Sequence, residues 1–172
     1  MTAARQKRKR YCCSIAAFAG LLAYAGFAFV LTAGPGTSLA SADERIVVDW
    51  HTGLAIDGYD PVAFFTDGKP MLGSPDLELR KGDVVWRFTN VGNRAAFVAV
   101  PDVYMPQYGG YDPVGVARGV AVAGNPNVWT ITRQRLFLFY DSARRQKFAV
   151  DPGRVTASAD RKWPEVQRSL TP

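Results

Sequence analysis

The chain has 172 residues, 48% of them hydrophobic, and a formal net charge of +6. Five of its 21 Lys and Arg fall in the stretch RQKRKR at 5–10, which leaves 16 basic against 15 acidic residues in the rest of the chain, without the basic stripe that nucleic-acid binding needs. Both cysteines, Cys12 and Cys13, sit beside that stretch, so disulfides, thiol nucleophiles and thiolate metal sites are excluded from everything that follows it.

Residues 1–13 read as a basic segment expected to stay on the cytoplasmic side of a membrane. The uncharged run SIAAFAGLLAYAGFAFVLTAG at 14–34 is long enough, at about 1.5 Å per residue in a helix, to cross a bilayer core. It predicts a membrane anchor, with the body of the protein held at the inner membrane and facing the periplasm. The small residues of SLASA, within the linker 35–45, leave the alternative of cleavage after Ala42 and a soluble periplasmic protein.

The exported body, 46–170, reads as one α+β domain. In IVVDWHTGLAIDGYDPVAFF two short β-type runs are separated by turn residues, and the second of them is VAFF. LELRKGDVVWRFTN predicts an antiparallel hairpin around Gly82-Asp83, with Val84, Trp86 and Phe88 on the core face. NRAAFVAV predicts a short helix with Asn93 as its N-cap and Pro101 ending it, followed by a helical turn over 102–105. VWTIT and LFLFYD, joined through Arg133-Gln134-Arg135, give a second hairpin, and 142–170 is helical with breaks at Asp151-Pro152-Gly153 and Pro164. Trp86, Phe88, Phe97 and Trp129 are expected to share one core with Leu138.

The pentapeptide GYDPV stands at 58–62 and again at 110–114. The first copy leads into VAFF and the second into GVARGVAVAG, so the flanks differ in kind and the recurrence reads as coincidence in place of internal duplication. Physically the copies are still alike, because an Asp-Pro pair initiates a turn and the Asp side chain accepts from backbone N–H groups two residues on.

The segments LAIDGYDPVAFFTDGKPMLGSPDLE, WRFTNVGNRAAFVAVPDVYMPQYGGY and LFLFYDSARRQKFAVDPGRVTASADRKWPEV, which together run from Leu54 to about Trp163, resemble the exported proteins of the YHS-domain family. The resemblance implies a small α+β binding domain with a proposed metal role and no settled activity. Family members commonly carry cysteine or selenocysteine where this chain has Asp112, and related short modules carry cysteine where it has Ala63.

With those soft ligands absent, the candidate metal ligands are Asp60, Asp112 and His51, a set suited to a hard divalent cation and not to tight copper binding. Tyr59, Asp60, Gln107, Tyr108, Tyr111 and Asp112 are the candidate ligand-binding residues, expected to meet in a shallow pocket between the two turns. An Asp112→Cys substitution is expected to favour soft metals with the fold intact. Ser74, Ser142 and Ser158 lie in ordinary turn or helix contexts without a nucleophile elbow, so no catalytic residue is assigned. The composite expectation is a non-catalytic binding module attached to the membrane through 14–34. The alternatives are an interaction domain serving a membrane-protein partner and an accessory enzyme built on the Asp60–Asp112 pair.

Overall fold

The computed structural model describes residues 45–170. The expected anchor and cleavage site lie outside the described residues, and among the described residues no helix is long and apolar enough to cross a membrane. The fold is α+β. A 3-10 turn at Ile56–Gly58 is followed by α1 (Ala63–Thr66), β1 (Ser74–Lys81), β2 (Val84–Phe88), α2 (Val91–Ala99) and α3 (Pro101–Tyr104). A second 3-10 turn at Gln107–Gly110 is then followed by α4 (Pro113–Val116), β3 (Asn125–Thr132), β4 (Arg135–Phe139), α5 (Ser142–Val150) and α6 (Pro152–Ser169).

The same order of elements occurs twice, and the correspondence reaches individual contacts. Both hairpins are antiparallel, and both shift register near the start of the first strand, between Ser74 and Glu78 in one and Asn125 and Trp129 in the other. Tyr59 bridges Leu72 as Tyr111 bridges Ala123. The amide of Gly73 donates to Gly58 O and that of Gly124 to Gly110 O. At Gly73 an added Cβ would lie 2.4 Å from the carbonyl carbon of Arg87, and at Gly124 it would lie 2.6 Å from Gly110 O, so each hairpin closes against backbone that only glycine admits. The reading of GYDPV as coincidence is therefore overturned: the two copies occupy equivalent corners of a duplicated architecture.

The cores repeat as well. In the first half Phe97 packs on Trp86 and Phe88 with ring centroids 4.9 and 5.3 Å away. In the second Phe148 packs on Phe137 and Phe139 at 5.0 and 5.2 Å. The halves do not face each other symmetrically. Alternate residues of a strand point to opposite faces, and β4 is buried on both: Leu136 and Leu138 enter the first-half core with Trp86, Phe88 and Phe97, while Phe137 and Phe139 build the second. The equivalent back face of β2 carries Val85 and Arg87, both half-buried, with Arg87 paired to Glu78 at 2.9 Å. Trp129 is half-buried against the first-half core and meets Phe64 edge-on, so the five residues expected to pack together do so.

Local corrections have local causes. VAFF is a one-turn helix and not a strand, because Asp60 satisfies the amides of Val62 and Ala63 at its start. The N-cap of α2 is Asn90, whose side chain accepts from the amide of Asn93, so Asn93 lies inside the helix. Pro164 does not break α6. Pro164 is exposed, as are Asp160 and Glu165, and the proline withholds only the one amide that would donate to the Asp160 carbonyl.

The turn of the second hairpin consists of Arg133 and Gln134, with φ of 51° and 59°. Two left-handed residues in a two-residue loop are what a type I′ turn demands, and Asn-Gly meets that demand with less strain. Replacing Arg133-Gln134 by Asn-Gly should raise stability by about 1 kcal/mol, the cost of holding a side chain in the left-handed region. Paired denaturant unfolding curves would measure it, with an unchanged or lower midpoint counting against the turn assignment.

Candidate functional site

Asp60 and Asp112 are both completely buried. Oδ1 of Asp60 accepts from the amides of Val62 and Ala63 at 2.8 and 3.3 Å. Its Oδ2 accepts from the amide and hydroxyl of Thr89, both at 2.8 Å, and from Nδ2 of Asn93 at 2.7 Å. Asp112 follows the same plan: Oδ1 accepts from the amides of Val114 and Gly115 at 2.7 and 2.9 Å, and Oδ2 from the amide of Tyr140 at 2.9 Å. Each aspartate thus ties the start of its own short helix to the end of its own hairpin.

The plan diverges where the side-chain donors stand. Thr89 and Asn93 give way to Tyr140 and Arg144 in the second half. Nη1 of Arg144 lies 3.7 Å from Oδ1 of Asp112, buried and without a hydrogen bond, and the guanidinium rests over the Tyr140 ring. Asp112 therefore receives fewer direct donors than Asp60 and gains a cation in exchange.

The expected pocket walled by Tyr59, Tyr108 and Tyr111 between the two carboxylates does not form. No donor is shared between Asp60 and Asp112, and neither reaches solvent. A metal ion would have to displace the N–H and O–H donors that the oxygens already accept from, so neither aspartate fits the metal that the family resemblance implies. Among the described residues no three of His, Cys, Asp and Glu come together. His51 is remote in character from both: it is exposed, its ring lies 3.3 Å from that of Trp50, and its amide donates to Asp49 Oδ1. That bond holds the Asp49 carboxyl below its usual range.

The remaining candidates are distributed. Tyr59 accepts through its hydroxyl from Nδ2 of Asn127, joining the first half to β3. Gln107, Tyr108 and Tyr111 are gathered by residues that sequence reasoning did not single out. Gln107 accepts from Arg135, Tyr108 donates to Asp160 at 2.8 Å, and the rings of Tyr108 and Tyr111 lie 5.7 and 6.1 Å from that of Trp163. Burial, aided by the Asp160 carboxylate, pushes the Tyr108 hydroxyl well above its ordinary value, and burial raises Tyr111 too. The spacing of Asp160 and Trp163, three apart on α6, was the available signal: it places both on one helical face. This cluster anchors α6 and leaves its first two turns to form something else.

That something is a cleft of about 390 Å³ between α4, α5 and α6. Val114, Ala117, Val150 and Val155 supply its apolar surface, and Arg118, Lys147 and Arg154 stand on its rim with Asp151 and Ser158. The duplicated architecture explains why it is open. In the first half Phe65 and Tyr104 meet edge-to-face with centroids 5.4 Å apart. The equivalent positions in the second half hold Ala117 and Val155. Two aromatic rings are thus replaced by a methyl and an isopropyl group, and the space is not refilled.

Compared with family models, curated proteins and solved structures, the chain matches none of them.

Proposed function

We propose that the chain is a non-catalytic binding module of YHS type, held at the inner membrane through 14–34 with its folded domain in the periplasm, and that it takes a small ligand in the cleft of its second half. One observation carries this reading: the fold contains two copies of the same corner, one sealed by Phe65 and Tyr104 and the other left open at Ala117 and Val155. An opening of this size lies within the range of small-molecule sites. The turns remain central in another role, since Asp112 fixes the start of α4, which lines the cleft. An accessory enzyme built on Asp60 and Asp112 loses support, because their oxygens are occupied by structural donors. Cleavage after Ala42 would alter the tether and not the cleft.

A second reading, an interaction domain for a membrane-protein partner, is favoured by the exposed Val91, Val98, Val100 and Val103 on and around α2 and α3.

Native mass spectrometry of the full chain, released gently from lipid nanodiscs, tests the first reading. The wild type should carry a small-molecule adduct that an Ala117→Phe/Val155→Tyr double variant lacks. A wild type free of adduct, or the same adduct on both proteins, would overturn it.

A further inference from the structure

We infer that the second-half cleft recognises an oxyanion joined to a compact apolar body, a phosphate- or carboxylate-bearing amphiphile. The inference rests on the reading of the cleft as the binding site and adds its chemical class. Arg118, Lys147 and Arg154 stand where the first half has Thr66, Ala96 and Val103. Three uncharged positions around a filled corner have become three cations around an open one.

These cations have no other employment. Among the described residues none of the three forms an ion pair, whereas Arg87, Arg135 and Arg144 each face a carboxylate. They come from three different elements: the residues following α4, the last turn of α5 and the first turn of α6. A ligand in the cleft is therefore approached from several sides. Asp151 is the one acid on the rim, and its Oδ1 accepts from the amide of Arg154 at 2.9 Å, which commits it to capping α6. The cleft wall is aliphatic, with Val114 buried, Ala117 and Val155 half-buried, and Val150 exposed at its edge. Positive rim and apolar wall together select against a bare inorganic anion and against a neutral hydrocarbon.

The probes are hexyl phosphate and inorganic phosphate, titrated calorimetrically into the full chain in phosphatidylcholine nanodiscs. Hexyl phosphate should bind one to one and about tenfold more tightly than inorganic phosphate, since its chain buries methylenes on the valines. Arg118→Ala/Arg154→Ala should weaken it by about tenfold or more through loss of charge-assisted hydrogen bonds. Both residues are exposed, so the thermal midpoint should hold. Ala117→Phe/Val155→Tyr should abolish binding with the fold retained, because the same pair already packs in the first half. If that double variant fails to fold, the arginine variant still decides. Equal affinity for the two phosphates, or hexyl phosphate binding unchanged in the arginine variant, would overturn the inference.

Repeating the titration in phosphatidylglycerol discs identifies the source. Loss of hexyl phosphate binding there supports a lipid headgroup as ligand, and unchanged binding supports a soluble one. An adduct by mass spectrometry that is neutral or cationic would sink the chemical class while leaving the cleft as a binding site, whereas no adduct at all would sink the underlying reading.

Discussion

Asp60→Ala should abolish cooperative folding of the domain or cost it about 4 kcal/mol or more, the largest loss expected of any single substitution here. Asp60 is completely buried, and five donors depend on its carboxylate: the backbone amides of Val62 and Ala63 on Oδ1, and the amide and hydroxyl of Thr89 with the side-chain amide of Asn93 on Oδ2. A buried donor left without an acceptor costs about 1–3 kcal/mol, and several are orphaned together. The losses are not additive, because some donors will recruit water, which is why the expected figure lies below their sum. Equilibrium denaturation of the wild type and variant would measure the effect, and a cost under about 1 kcal/mol would show that the carboxylate is not the organising group of this corner. Asp112→Cys should behave similarly in direction. Its thiol is a weak acceptor for the amides of Val114, Gly115 and Tyr140, and it leaves Arg144 facing no charge, so the expectation of an intact fold with cysteine at 112 no longer stands.

Phe97→Ala is expected to cost about 3–5 kcal/mol, the range for truncating a buried aromatic where the surroundings cannot collapse into the space. Phe97 is fully buried, packed against both Trp86 and Phe88 on the core face of β2. Those neighbours belong to a strand held in register with β1, so neither can move in to fill a cavity without breaking the ladder. Phe97→Leu should recover more than half of the loss, which separates lost volume from any special aromatic contribution. A variant that melts within about 2 °C of the wild type would contradict the assignment of Phe97 to the centre of the first core.

The hairpins and the core aromatics were legible because strand alternation writes itself into the sequence: Val84, Trp86 and Phe88 on one side of β2 against Val85 and Arg87 on the other. The one-turn helix at Ala63–Thr66 was not, since a four-residue apolar run has no period to distinguish helix from strand, and the deciding contact comes from Asp60 just before it. The immediate flanks of GYDPV conceal the duplication. Its signal lies further off, in positions constrained by packing: Gly73, Trp86, Phe88, Phe97 and Pro101 correspond to Gly124, Phe137, Phe139, Phe148 and Pro152. The cleft could not be read at all without that alignment, because an Ala at 117 and a Val at 155 are unremarkable until Phe65 and Tyr104 show what once-equivalent positions can hold. The candidate pocket between Asp60 and Asp112 failed for a complementary reason: motif identity suggested a shared site, while the amides after each Asp-Pro consumed each carboxylate separately.

A strand with no solvent face changes what kind of folding unit this is. Leu136 and Leu138 of β4 complete the first core while Phe137 and Phe139 lie in the second, so the first repeat does not own its interior, whereas the second core is drawn from the second repeat alone. A fragment ending before β4 would leave Trp86 and Phe97 uncovered on one side, and a fragment beginning after Met105 would present two leucines to water. Tandem repeats often melt one after another, each contributing its own transition. Here the hydrogen-exchange protection of amides in both hairpins should instead rise and fall together, since opening β4 dissolves two interiors at once. Shared use of one strand turns two copies of a small motif into a single cooperative body, in which one corner stands open at Ala117 and Val155 while the other is closed by Phe65 and Tyr104.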